Sequence, residues 1–346
     1  MAVSDFELVQ AWRQVLELSN LKAGDTVALL TSGDTNAQTL RCAIIAVQEK
    51  GAIANRLDLQ PTNGALSFSR DPLAYVGKTP LTDNRAAVEM LKASTMVLDL
   101  MTLLFSAEQH EILAAGGRIL LAVEPPEVLV RMTPTAEDRT RVLAASAKLQ
   151  AAKTMRVTSA AGTDATFALG DYPMLEEYGF VDAPGRWDHW PSGFLATWSN
   201  EGSAEGTIVL APGDILLPQK SYLSAPVTCH LEKGFVRAIE GGFEAEHLRD
   251  YMDSFNDPEV YAVSHIGWGL QHRAHWSVMG FYDREASIGM DPRACAGNFL
   301  WSTGPNNEAG GTRDTACHID IPMRNCTVML DGVAVVQDGK LLEDQE

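Results

Sequence analysis

The sequence predicts an α/β protein, with an N-terminal open α/β sheet domain followed by a C-terminal mixed α+β domain. Three observations carry that expectation. Short apolar runs alternate with amphipathic stretches through the first half, the rhythm of strands joined by crossover helices. Beyond about Leu169 helical patterning becomes scarce and strand-like runs take over. The chain has 346 residues and 46% hydrophobic content, and single cores rarely grow past roughly 250–300 residues.

Residues 1–21 start acidic and then show helical periodicity, without the basic flank and uninterrupted apolar core of a signal peptide. No secretion signal or membrane-spanning segment is expected. DTVALLTSGD then reads as a strand, 37–50 as a helix, GAIANRLDL as a strand, 84–93 as a helix, TMVLDLM as a strand, 107–115 as a helix and GRILLAVEP as a strand. The loop after the first strand, Thr31-Ser32-Gly33-Asp34-Thr35, lacks both the GxGxxG fingerprint and the P-loop lysine, which removes the best support for a nucleotide role.

A helix over 136–153 follows Thr135 as its cap, and the runs MRVTSA and DATFAL lead to a boundary placed near residue 170. The expected domains are therefore 1–170, an α/β unit, and 171–346, the catalytic unit. Residues 171–223 are rich in Pro, Gly and Trp, with Trp187, Trp190 and Trp198 near His189. TCHLEKGFVRAIEGG follows as two strands whose KG pair suits a hairpin turn, before one helix over 244–255. There is no internal repeat and no low-complexity tract.

The net charge of −18, from 27 Lys plus Arg against 45 Asp plus Glu, opposes polyanionic partners, so nucleic acid and anionic membrane surfaces are poor candidates. Cys42, Cys229, Cys295, Cys317 and Cys326 form an odd set without a CxxC pair. They read as reduced thiols of a cytoplasmic protein.

The strongest chemical signal is Cys317-His318-Ile319-Asp320-Ile321-Pro322. Alternation along a strand turns His318 and Asp320 to one face and Cys317, Ile319 and Ile321 to the other. A carboxylate in so apolar a run is costly unless it is paired or coordinates an ion. His265, ending the apolar run of Tyr261-Ala-Val-Ser-His265 just before Gly267 and Gly269, is the best-placed third ligand. Two imidazoles and one carboxylate leave three positions open, the facial arrangement suited to non-haem Fe(II). Zinc on the same ligands is also chemically possible. A single buried histidine is ordinarily a hydrogen-bonded core residue, so the assignment rests on the three together. His272 and His275 are a second spaced pair, but Arg273 between them is a poor neighbour for a cation, and they rank as structural or substrate-facing.

The second half resembles the metallo-aminopeptidases of the aminopeptidase T type through Trp190-Pro-Ser-Gly193, His265-Ile-Gly267-Trp-Gly269, His318-Ile-Asp320, Asp331-Gly332 and Asp338-Gly-Lys340. Those peptidases carry a Glu where this chain has Phe194 and another where it has His265. A further His and Tyr precede their HxD pair, and Asn298-Phe-Leu-Trp-Ser302 offers no replacement. A two-metal hydrolase needs such bridging ligands, so that reading fails on ligand count.

The chain is instead similar to a smaller branch, the 2,5-dihydroxypyridine 5,6-dioxygenases of nicotinate and nicotine breakdown, whose distant His followed by HxD coincides with His265, His318 and Asp320. The resemblance implies an Fe(II) enzyme that opens a dihydroxylated pyridine between C5 and C6 with O₂, giving N-formylmaleamate without nicotinamide, flavin or 2-oxoacid. It also implies a homo-oligomer. By the same resemblance position 105 should hold a His acid or base, where this chain has Phe105. His189, in Trp187-Asp188-His189-Trp190, is the candidate proton carrier, with Asp188 to orient its imidazole and the indoles to flank a flat ring. A metallo-aminopeptidase and a metal-free binder of small aromatic molecules are the alternative readings.

Overall fold

Ser4 opens the first helix, Asp5–Leu18, by a reciprocal cap: its hydroxyl accepts the Glu7 N–H while the Glu7 carboxylate accepts the Ser4 N–H at 2.9 Å. Such a cap stabilises a helix by about 1 kcal/mol. Leu8, Trp12, Val15 and Leu16 recur on the face that this helix buries. The computed structural model describes residues 3–59, 79–103, 106–217, 219–282 and 286–342.

Met1–Arg139, Glu177–Ser192 and Tyr282–Met290 make one compact unit. Its centre is a five-stranded parallel sheet in the order Ile53–Asp58, Thr26–Thr31, Met96–Asp99, Ile119–Leu121, Trp187–His189. The inner strands Met96–Asp99 and Ile119–Leu121 are buried throughout, as strands covered on both faces must be, and so read as continuous apolar runs. Ala28, Leu30, Val97 and Ile119 pack with Leu91 and Ile112 into the core beside them. Besides Asp5–Leu18, its helices are Ala37–Glu49, capped by Asn36, Arg85–Lys92, capped by Asn84, Ala107–Ala114, capped by Ser106, and the short Pro126–Arg131.

Thr140–Glu176, Gly193–Phe281 and Asp291–Glu346 make the second unit. It contains an eight-stranded antiparallel sheet running from Phe235–Gly241 to Lys340–Leu341. A five-stranded sheet has the order Ile319–Met323, Phe299–Thr303, Val263–Gly269, Phe194–Trp198, Leu175–Glu177. Lys233 and Gly234 both take positive φ, 51° and 80°, the two-residue turn that matches the twist of its hairpin, Val227–Glu232 with Phe235–Gly241. Among the described residues no helix is long and apolar enough to cross a membrane.

The single boundary expected near residue 170 differs from this division. Thr154–Ser159 and Asp164–Ala168 pair with each other, with Cys326–Leu330 and with Glu205–Leu210, so they belong to the second unit. Residues 177–192 return to the first, where Trp187–His189 adds the fifth parallel strand beside Ile119–Leu121. Strand pairing over long separations decides membership, and local texture carries no trace of it.

Candidate metal centre

His265 lies mid-strand in Val263–Gly269, between Phe194–Trp198 and Phe299–Thr303. The register against Phe299–Thr303 slips between Val263 and Ile266, at the residue that must aim its ring. Ser302 fills the gap: its hydroxyl accepts the His265 N–H at 3.0 Å and donates to the His265 carbonyl at 3.2 Å. Phe194 and Trp198 meet the imidazole edge-on, with ring centroids 6.1 and 5.9 Å away, which restricts its rotation.

His318 immediately precedes the strand Ile319–Met323, and Asp320 lies within it, opposite Ser302. Alternation brings both side chains to the His265 ring. His265 Nε2 and His318 Nε2 are 3.2 Å apart, His265 Nε2 and Asp320 Oδ1 3.0 Å, and His318 Nε2 and Asp320 Oδ1 3.1 Å. All three residues are buried. Electron-pair donors this close repel unless a cation, a proton or a metal ion, lies among them. Among the described residues these three form the group of His, Cys, Asp or Glu able to hold a metal.

The outer oxygen of Asp320, Oδ2, accepts from Arg293 Nε at 2.7 Å and Nη2 at 2.6 Å. Burial alone would raise the Asp320 carboxyl, but the Arg293 guanidinium and then the two imidazoles outweigh it and hold the group well below the usual carboxylate range. The neighbouring Cys317 thiol is pushed up to about 12 by burial, which leaves it protonated and a poor ligand. Phe194 is 3% exposed and packs with Ala196 and Leu300. It offers nothing to a second ion.

His189 belongs to the other unit, buried on Trp187–His189 in register with Leu121. Asp188 does not fill the role expected of it. Its carboxylate accepts the backbone N–H groups of Tyr178, Gly179 and His189 and the Arg186 guanidinium, because alternation sends consecutive side chains to opposite faces. Trp190 is a core residue, fully buried and edge-on to Trp12 at 4.7 Å. Phe105 lies outside the described residues. Sequence reasoning assigns no role to Arg293, and it reads Asn298 and Ser302 only as the ends of a stretch without peptidase ligands. Their contacts to the His265 and Asp320 strands span 27 to 37 residues of sequence, and no short motif marks them.

A profile of the NicX family, 2,5-dihydroxypyridine 5,6-dioxygenase, matches residues 7–343. A 2,5-dihydroxypyridine 5,6-dioxygenase of Pseudomonas putida KT2440 is 53% identical over 100% of this chain and 99% of its own length. The solved structure of 2,5-dihydroxypyridine dioxygenase from that organism superposes with a TM-score of 0.95 over 99% of each chain, at 52% identity. AmpT from Thermus thermophilus superposes with a TM-score of 0.64 over 98% of this chain and 99% of that one; at 12% identity this shows a shared fold.

Proposed function

This chain belongs to the 2,5-dihydroxypyridine 5,6-dioxygenase family, and from that premise we propose that it opens 2,5-dihydroxypyridine between C5 and C6 at one Fe(II) ion held by His265, His318 and Asp320. The observation that carries the metal assignment is the triangle of donors with edges of 3.0, 3.1 and 3.2 Å. Such a set suits one face of a metal's coordination sphere, the facial arrangement of non-haem Fe(II) enzymes.

When bound, Fe(II) supplies a positive centre that lowers the pKa of a ring hydroxyl and a redox route from the ring to dioxygen. The ring provides all four electrons and both oxygen atoms enter the product, N-formylmaleamate, so no further reductant is required. His265 and His318 would hold the ion through Nε2 and Asp320 through Oδ1, while Phe194 and Trp198 keep the His265 ring in place and water away from its flanks. His189 is the candidate proton carrier, and Phe105 has neither a donor nor an acceptor to offer. The five free thiols fit a cytoplasmic enzyme.

Elemental analysis of protein purified without oxygen tests the assignment. We expect close to one iron per chain, at least about tenfold less in His265→Ala, His318→Ala and Asp320→Ala, and folding preserved, because the ligands serve an ion that the large core does not need. Undiminished iron in all three variants would rule out this ligand set. Two zinc or cobalt ions per chain would favour a peptidase.

A further inference from the structure

The two oxygens of Asp320 have different neighbours. Oδ1 faces His265 Nε2 and His318 Nε2, at 3.0 and 3.1 Å. Oδ2 takes two donors from a single guanidinium, Arg293 Nε at 2.7 Å and Nη2 at 2.6 Å. A carboxylate left to itself can grip an ion through one oxygen or both. Here one oxygen is already occupied.

Arg293 is itself held in place. Asn298, 2% exposed, donates from Nδ2 to the carbonyls of Pro292, at 2.5 Å, and of Arg293, at 2.9 Å, while its Oδ1 accepts the Gly269 N–H at 2.6 Å. The backbone that carries Arg293 is thereby clipped to the end of the strand that carries His265. Gly269 makes the approach possible. A Cβ there would stand 2.3 Å from the Cys295 carbonyl oxygen and 2.4 Å from the Ala294 carbonyl carbon.

We propose that Arg293 is a positioning residue which, by occupying Oδ2, confines Asp320 to one donor oxygen and keeps the neighbouring positions on the ion open for the ring hydroxyl and dioxygen. This deepens the ring-opening reading above and rests on it. Two consequences follow for a variant without the guanidinium. The second carboxylate oxygen can now reach the ion, and a positive charge that opposes the ion is gone, so the bare metal should bind more tightly. The substrate, which needs the position that Oδ2 would then take, should bind more weakly. Losing an outer partner of a metal ligand ordinarily weakens metal binding by about 10–100-fold. The reversed sign is what separates this role from general support of the site.

The test uses the full chain carrying Arg293→Gln, with two readouts apart from turnover. One is Co(II) affinity by competition with a chromophoric chelator; the other is 2,5-dihydroxypyridine binding to the Fe(II) protein without oxygen. We expect Co(II) affinity to rise about threefold or more and substrate affinity to fall about tenfold or more. Weaker Co(II) binding would make Arg293 a general support. Unchanged Co(II) binding, with or without weaker substrate binding, would make it a substrate contact or a bystander. Either result overturns the proposal. Arg293→Met, which strands no polar group beside Asp320, carries the same test and the same expectations if the glutamine variant does not fold. Failure of the unmutated Fe(II) protein to bind 2,5-dihydroxypyridine would instead overturn the ring-opening reading and this inference with it.

Discussion

Phe194 supports, at the scale of one residue, the proposal of a single ion. Its ring stands 6.1 Å from the His265 ring, buried in a cluster with Ala196 and Leu300, where a two-metal hydrolase would need a carboxylate between its ions. At His189 a residue-scale prediction follows. Gln keeps the size and a donor but cannot exchange a proton near neutral pH, so His189→Gln should lower kcat by about 10²–10⁴-fold, the usual contribution of a positioned acid or base, while iron content stays at the level of the unmutated protein. Stopped-flow turnover and metal analysis on one preparation check both parts. An unchanged kcat would place the proton traffic elsewhere. His318 and Asp320 could be picked out because HxD alternation survives in sequence as a two-residue spacing, and the structure brings them together with His265. Arg293 could not, since its partner Asp320 lies 27 residues away and an isolated arginine in Met-Asp-Pro-Arg has no periodicity to betray it.

At the scale of elements, the site depends on strands approaching more closely than side chains allow. A Cβ at Gly267 would stand 1.9 Å from the Leu195 carbonyl oxygen, and one at Gly269 would meet the Ala294 and Cys295 backbone at the end of the helix Met290–Ala294, which carries Arg293. Gly269→Ala should therefore destabilise the protein by roughly 1–3 kcal/mol or more, the cost of forcing atoms into packed structure. Gly280→Ala, where no atom lies within 4 Å of the added carbon, should stay within about 0.5 kcal/mol. Chemical denaturation of the pair checks this, and equal midpoints would mean that the backbone at Gly269 yields without cost. Most elements could be read from sequence for the same local reasons. Thr135 caps the helix that follows it, its hydroxyl accepting the Asp138 N–H at 3.2 Å, and Lys233 and Gly234 form the hairpin turn. Trp187–His189 could not. It is three residues long and becomes a strand only because Ile119–Leu121 has an open edge beside it.

At the scale of the whole molecule, the chain folds back on its own order. Residues 140–176 leave the first unit, 177–192 return to it, and 282–290 return again, a pattern set by pairing between distant strands and therefore invisible to any boundary drawn along the sequence. The net charge of −18 disfavours anionic polymers and leaves a small uncharged ring as a suitable substrate. The central claim is that both atoms of dioxygen enter that ring as it opens. Single-turnover reaction of the Fe(II) protein with 2,5-dihydroxypyridine under ¹⁸O₂, followed by mass spectrometry of the product, tests it most directly. N-formylmaleamate carrying two ¹⁸O atoms is expected, with one dioxygen consumed per ring; a product with one labelled atom or none, or a ring left closed, would rule out dioxygenation of the ring.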